Sequence, residues 1–128
     1  MKPNKVVLRF KDGTIMKGNT SDFFPNKVRF HLSHLSGNVE EIDVEELKAM
    51  FFVKDFKGNK DHYKKYNDTV HGAGKKIKVD FSDGESIIGY ALGYSDDRQG
   101  FFMTPADLDG NNDRVFVVKS ATKSVEFL

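Results

Sequence analysis

Two hairpin-like stretches, VVLRFKDGTIMKG at residues 6–18 and IKVDFSDGESIIG at residues 77–89, constrain the fold of this chain more than any other feature of its 128 residues. At a fixed offset of 71, Val6, Leu8 and Phe10 fall on Ile77, Val79 and Phe81. Asp12-Gly13 falls on Asp83-Gly84, Gly18 on Gly89, and Phe30 and Leu32 on Phe101 and Met103. After the next loop the offset becomes 75, and Ile42, Lys48, Met50 and Phe52 fall on Val117, Lys123, Val125 and Phe127. A pattern written twice at this spacing implies a duplicated supersecondary unit.

Each copy reads as five short strands. Val6, Leu8 and Phe10 alternate with Val7, Arg9 and Lys11, which is the period-two signature of a half-buried strand. Asp-Gly then turns the chain, because glycine accepts positive φ and aspartate tolerates turn geometry. Gly18 and Gly89 interrupt the second strand and mark a bend or bulge. A one-turn connector, EELK or SATK, precedes the fifth strand. The expected fold is all-β: two tandem five-stranded small barrels, SH3-like or Sm-like, packed together. The first barrel covers residues 1–55, a basic linker 56–75 and the second barrel 76–128. So small a barrel buries little apolar surface alone, and packing two copies together relieves that.

Charge is balanced over the whole chain but not along it. The net charge is +1. Residues 1–55 carry nine basic and eight acidic residues, 56–76 six and two, and 77–128 five and nine. No global field favours nucleic acid or membrane. The absence of cysteine excludes disulfides, thiolate nucleophiles and cysteine zinc sites. No leader-like segment and no long apolar run is visible, so a cytoplasmic protein is expected.

The copies disagree at informative places. His31, Glu41 and Asp43 occupy outward positions where the second copy has Phe102, Phe116 and Val118. Phe51 stands where the second copy has Glu126. An apolar outer face marks a contact, made either with the first copy, with a partner protein, or with a second chain in a homodimer. The loops between strands two and three, DFFPNK and GYSDDRQGFF, hold further candidates. Phe23, Phe24, Pro25, Tyr94 and Arg98 offer an aromatic surface of the kind that binds extended peptides.

The strings FKDGTIMKG…DFFPNKVRFHL…ELKAMFFVKDFKGN and GYALGYSDDRQGFFMTPAD…NNDRVFVVKSATKSVEFL resemble an uncharacterised family of bacterial domains of unknown function. That resemblance implies a bacterial cytosolic protein, found in some cases beside signalling modules, and it brings no activity or cofactor. A looser resemblance links each copy to Sm-like RNA-binding barrels. Asp22 and Asn26 stand about two positions early for the first Sm motif, and the second motif is absent between strands four and five.

The remaining motifs exclude more than they suggest. His31 and His34 form an HxxH pair, but positions i and i+3 of a strand face opposite ways. DLDGNND at residues 107–113 starts like a calcium loop but has Asn112 and Val118 where Gly and Glu belong. HGAGKK lacks the P-loop spacing. DFSDGE lacks the final glycine and the RxxxR partner of cyclic-dinucleotide barrels. No nucleophile elbow or carboxylate pair stands out, so no enzyme, metal or cofactor is expected. The linker residues Lys60, Tyr63, Lys64, Lys65 and Tyr66 interleave cations with rings, which suits single-stranded nucleic acid. The leading expectation is a protein-interaction or regulatory adaptor module, with weak single-stranded nucleic-acid binding as the alternative.

Overall fold

The computed structural model describes residues 4–53, 75–92, 98–105 and 112–128. Over these residues the chain is all-β. It has ten strands and two single 3-10 turns, Val44–Glu46 and Lys119–Ala121. The strands of the first unit are β1 (Asn4–Phe10), β2 (Ile15–Thr20), β3 (Arg29–His34), β4 (Val39–Asp43) and β5 (Leu47–Val53). Those of the second are β6 (Lys75–Phe81), β7 (Ser86–Leu92), β8 (Gly100–Pro105), β9 (Asn112–Val118) and β10 (Thr122–Phe127). The segment expected to join the barrels lies outside the described residues except for Lys75, which begins β6.

Turn chemistry sets both opening hairpins in the same way. Gly13 and Gly84 adopt φ of 94° and 96°, a region that residues carrying a Cβ disfavour. Asp12 Oδ1 accepts the Thr14 amide at 2.8 Å, and Asp83 Oδ1 accepts the Glu85 amide at 3.0 Å.

The strands do not close into two barrels. They form one open antiparallel sheet in the order β10-β6-β7-β8-β9-β5-β1-β2-β3-β4. Each half has the same connectivity, with its fifth strand beside its first and its fourth at the far side. The halves meet where β5 pairs with β9, placing Ala49, Met50, Phe51 and Phe52 opposite Val117, Phe116, Val115 and Arg114. Pairing the two strands satisfies backbone groups that would otherwise form exposed edges.

This seam also builds both cores. Val6, Leu8, Phe30, Leu32, Ile42, Leu47, Met50 and Phe52 fill the first, and β9 adds Phe116 and Val118 to it. Ile77, Val79, Phe81, Phe101, Met103, Val115 and Val117 fill the second, and β5 adds Ala49, Phe51 and Val53. Every residue of β5 is therefore buried. The apolar substitutions of the second copy are thus covered within the chain: Phe116 is 0% exposed and Val118 1%. Their counterparts Glu41 and Asp43 lie on β4, at an edge of the sheet, where a charged side chain keeps its water.

Gly18 and Gly89 have a different reason to be glycine from a simple bend. Neither has positive φ. A Cβ on Gly18 would overlap the Ser33 carbonyl of β3, and one on Gly89 the Thr104 carbonyl of β8. Glycine permits the close approach of β2 to β3 and of β7 to β8.

Candidate functional site

The loop before β3 is tied down by Asp22. Its Oδ1 accepts the His31 amide at 2.9 Å, and its Oδ2 lies 2.7 Å from His31 Nδ1. Partial burial tends to raise the Asp22 pKa, but these bonds outweigh it and hold the carboxyl below its ordinary value. Phe23 then turns inward, with its ring centroid 5.0 Å from Phe116 and 5.3 Å from Phe30. Phe102 is half-buried in the same cluster, 5.1 Å from Phe116, and Arg114 stacks over it. Phe23, Phe102, Phe116 and Val118 are therefore core or core-edge residues, and of the four Val118 also lines the cleft described below. Large rings buried on both sides contribute more by packing inside than by display.

Phe24, Pro25 and Arg98 have a different placement. Phe24 is exposed, with the Lys27 ammonium 5.0 Å from its ring centroid. Gln99 Nε2 donates to the Pro25 carbonyl at 2.8 Å and to the Lys27 carbonyl at 2.6 Å. That bridge joins the loop of the first half to the end of the corresponding loop of the second. Tyr94 and the linker candidates Lys60, Tyr63, Lys64, Lys65 and Tyr66 lie outside the described residues. His31 and His34 pair separately with Asp22 and Glu40. Among the described residues no group of three or more His, Asp or Glu side chains is placed to hold a metal ion.

Beside the Gln99 bridge lies a cleft of about 860 Å³, with Val28, Arg29, Asp43, Glu45 and Glu46 on one side and Arg98, Gln99, Val118 and Lys119 on the other. The two walls are built from equivalent positions. Val28 corresponds to Gln99, Asp43 to Val118, Val44 to Lys119 and Glu45 to Ser120. The backbone agrees, since the Val44 amide donates to Val28 and the Lys119 amide to Gln99, each at 2.9 Å. The charges, however, have diverged. One wall presents Asp43, Glu45 and Glu46; the other presents Arg98 and Lys119. Arg29 Nε is paired with Asp43 at 2.6 Å, so the first wall stays net acidic. Sequence reasoning singled out Arg98 but missed Gln99, Glu45, Glu46 and Lys119. The available signal was the change of charge between aligned connectors.

A second polar cluster fastens the halves together. Between the pairs Arg9–Ala49 and Phe10–Leu47 the register slips by one residue, and Lys48 is the extra one. The bulge frees it from the alternation. Its Nζ reaches Asp83 at 2.7 Å and Glu85 at 2.5 Å, on the first hairpin of the second half, and lies 4.8 Å from the centroid of the Phe81 ring. Burial tends to lower the Lys48 pKa, but the bonds it donates to Asp83 and Glu85, with their negative charge, outweigh it and leave it raised. The Lys48 hydrogen bond, helped by the Glu85 amide, holds the Asp83 carboxyl below its ordinary value.

These shifts set a pH dependence. A raised Lys48 stabilises the fold below its unfolded pKa near ~10.4 and stops doing so as pH rises through its folded value. Depressed Asp22 and Asp83 stabilise it above ~3.9 and stop doing so as pH falls through their folded values. Thermal unfolding is expected to change little between these limits and to weaken beyond both. Lys48→Met should lower stability by about 1–2 kcal/mol, since both carboxylate partners remain in contact with water. It should also flatten the acid limb, because Asp83 loses the main cause of its depression. Melting curves across pH for the two proteins check this.

One open antiparallel sheet of two like-connected halves, with a charged cleft at their junction, defines an all-β protein. The chain belongs to the Family of unknown function (DUF6982), whose pattern matches residues 2–128. No curated protein and no solved structure matches it. Among the described residues no helix is long and apolar enough to cross a membrane.

Proposed function

We propose that this chain is a non-enzymatic protein-interaction module of the adaptor or regulatory kind, working in the bacterial cytoplasm, with each half an SH3-like or Sm-like unit. The cleft between the halves is its binding site. The observation that carries this reading is the opposition of an acidic wall, Asp43, Glu45 and Glu46, to a basic one, Arg98 and Lys119, across about 860 Å³. A cleft with one sign of charge on each side selects a ligand by charge order as well as shape. An extended peptide with both signs of charge matches it. Gln99 holds the mouth in place, and exposed Phe24 and Val28 supply apolar contact beside it.

The test compares proteins captured by the full chain and by an Arg98→Glu, Glu45→Lys variant in extracts of the source cell. Both side chains are exposed, so the fold is retained. The expected result is a protein captured by the wild type and lost with the variant. Capture unchanged by the variant contradicts the cleft as the site. A second reading keeps the excess of six basic over two acidic residues in 56–76 as a single-strand binder. Recovery of nucleic acid in a salt-dependent manner, with no protein partner, would favour it.

A further inference from the structure

Resting on the interaction-module reading, we propose that the open edge of β4 takes up a basic, extended segment of the partner as an added antiparallel strand. Among the described residues β4 pairs on one side only, with β3. Its other side presents backbone donors and acceptors that invite a strand.

The molecule already shows how such an edge is filled. β9 is the counterpart of β4, and β5 lies antiparallel along the equivalent edge of β9. There Ala49, Met50, Phe51 and Phe52 stand opposite Val117, Phe116, Val115 and Arg114. At the offset of 75, those four β9 positions are Ile42, Glu41, Glu40 and Val39 of β4. An incoming strand in the same register therefore meets an apolar residue, two carboxylates and an exposed valine in turn. Asp43, Glu45 and Glu46 continue the acidic line into the cleft. Arg29 is paired with Asp43, and His31 and His34 approach Glu41 and Glu40. Glu45 and Glu46 have no ion-pair partner among the described residues. The seam wants apolar residues on the strand that fills it, whereas this edge wants lysine or arginine.

The seam supplies one more anchor. The bulged Lys48 precedes the paired run of β5 and reaches Asp83 and Glu85. The equivalent hairpin of the first half carries Asp12 and Thr14, with Asp12 Oδ1 occupied by the Thr14 amide. A lysine just before the docking strand would meet the other oxygen of Asp12.

A second copy would bring Lys123, the counterpart of Lys48, to this anchor, but its paired run suits the edge less well than a basic segment does. Its β10 in that register sets Ser124, Val125, Glu126 and Phe127 against Ile42, Glu41, Glu40 and Val39. Glu126 then faces Glu40, and like charges directly opposite are destabilising.

The probe is a labelled peptide copying Leu47–Val53 with lysine at the Met50 and Phe51 positions, read by fluorescence anisotropy and by amide exchange of the full chain. A glutamate version and one with a central proline are controls. The expected result is binding of the lysine peptide alone, with slowed exchange along β4. Glu40→Lys with Glu41→Lys should weaken binding about tenfold or more, and Asp12→Asn, which keeps the turn acceptor, should weaken it less. Unchanged melting of the variants is checked first. No binding, equal binding of the glutamate peptide, or slowing confined to β9 or β10 overturns the proposal. A peptide that fails while the cleft variant still loses its captured protein sinks strand addition alone. Capture indifferent to the cleft variant sinks the interaction reading itself.

Discussion

Phe116→Glu should leave the chain unfolded at room temperature, while the reciprocal Glu41→Phe should change stability by no more than about 0.5 kcal/mol. The two positions are equivalents in the two halves, so each substitution copies what the other half already carries. Their surroundings differ completely. Phe116 is 0% exposed and packs among Phe23, Phe102 and the first core. Losing the ring alone costs about 3–5 kcal/mol. A carboxylate left in that apolar site costs several more or takes up a proton. Together these approach the whole stability of a domain this size, about 5–15 kcal/mol. Glu41 is exposed on β4, and a phenylalanine there meets water and the edge of the sheet. Urea unfolding followed by circular dichroism separates the cases. A folded Phe116→Glu protein with a small loss would mean that β9 does not share the first core.

Gly18→Val and Gly89→Val should each cost about 3 kcal/mol or more, at the upper end of overpacking effects. At both positions the nearest clash is with backbone, which yields less readily than the end of a flexible side chain. A Cβ at Gly18 overlaps the Ser33 carbonyl, and one at Gly89 the Thr104 carbonyl. Neither strand can yield cheaply, because the clashing carbonyl belongs to the strand paired beside the glycine: Gly18–His34 and Asn19–Ser33 join β2 to β3, and the pairs from Gly89–Pro105 to Leu92–Phe102 join β7 to β8. Separating the strands by the needed amount removes that pairing. Gly37→Ala is the contrasting case. Gly37 has φ of 100° with nothing within 4 Å of an added Cβ, so only backbone strain of about 1–2 kcal/mol is expected. Equal losses at Gly18 and Gly37 would show that conformational freedom, not close approach, explains the strand glycines.

The local part of this fold is legible in the sequence. Asp12-Gly13 and Asp83-Gly84 announce their hairpins because a turn is encoded by the residues that make it. The alternation of Val6, Leu8 and Phe10 names the buried face of β1 for the same reason. Non-local pairing carries no such mark. The apolar character of Phe116 and Val118 shows that something covers β9, yet nothing near them says that β5 does so. The expectation of two barrels follows from treating each copy alone, and the open sheet follows from the seam. Lys48 is hidden for a related reason, since a bulge removes it from the period that the eye follows. The cleft is harder still. It exists only because equivalent connectors of two units face each other, so its walls are more than fifty residues apart at their closest in sequence, from Glu46 to Arg98. Of its lining, sequence reasoning reached Arg98 and Val118, with Phe24 and Pro25 in the loop beside it, because loop aromatics, cations and outward apolar side chains suggest contact before any partner is known.

Amide hydrogen exchange across the free protein tests the shared seam most directly. If β5 and β9 join the halves into one sheet, their amides exchange most slowly, at the rate of global unfolding, while the open sides of β4 and β10 exchange fastest. Fast exchange along β5 and β9, matching the two edge strands, would mean that the halves fold as separate units and would contradict the shared sheet.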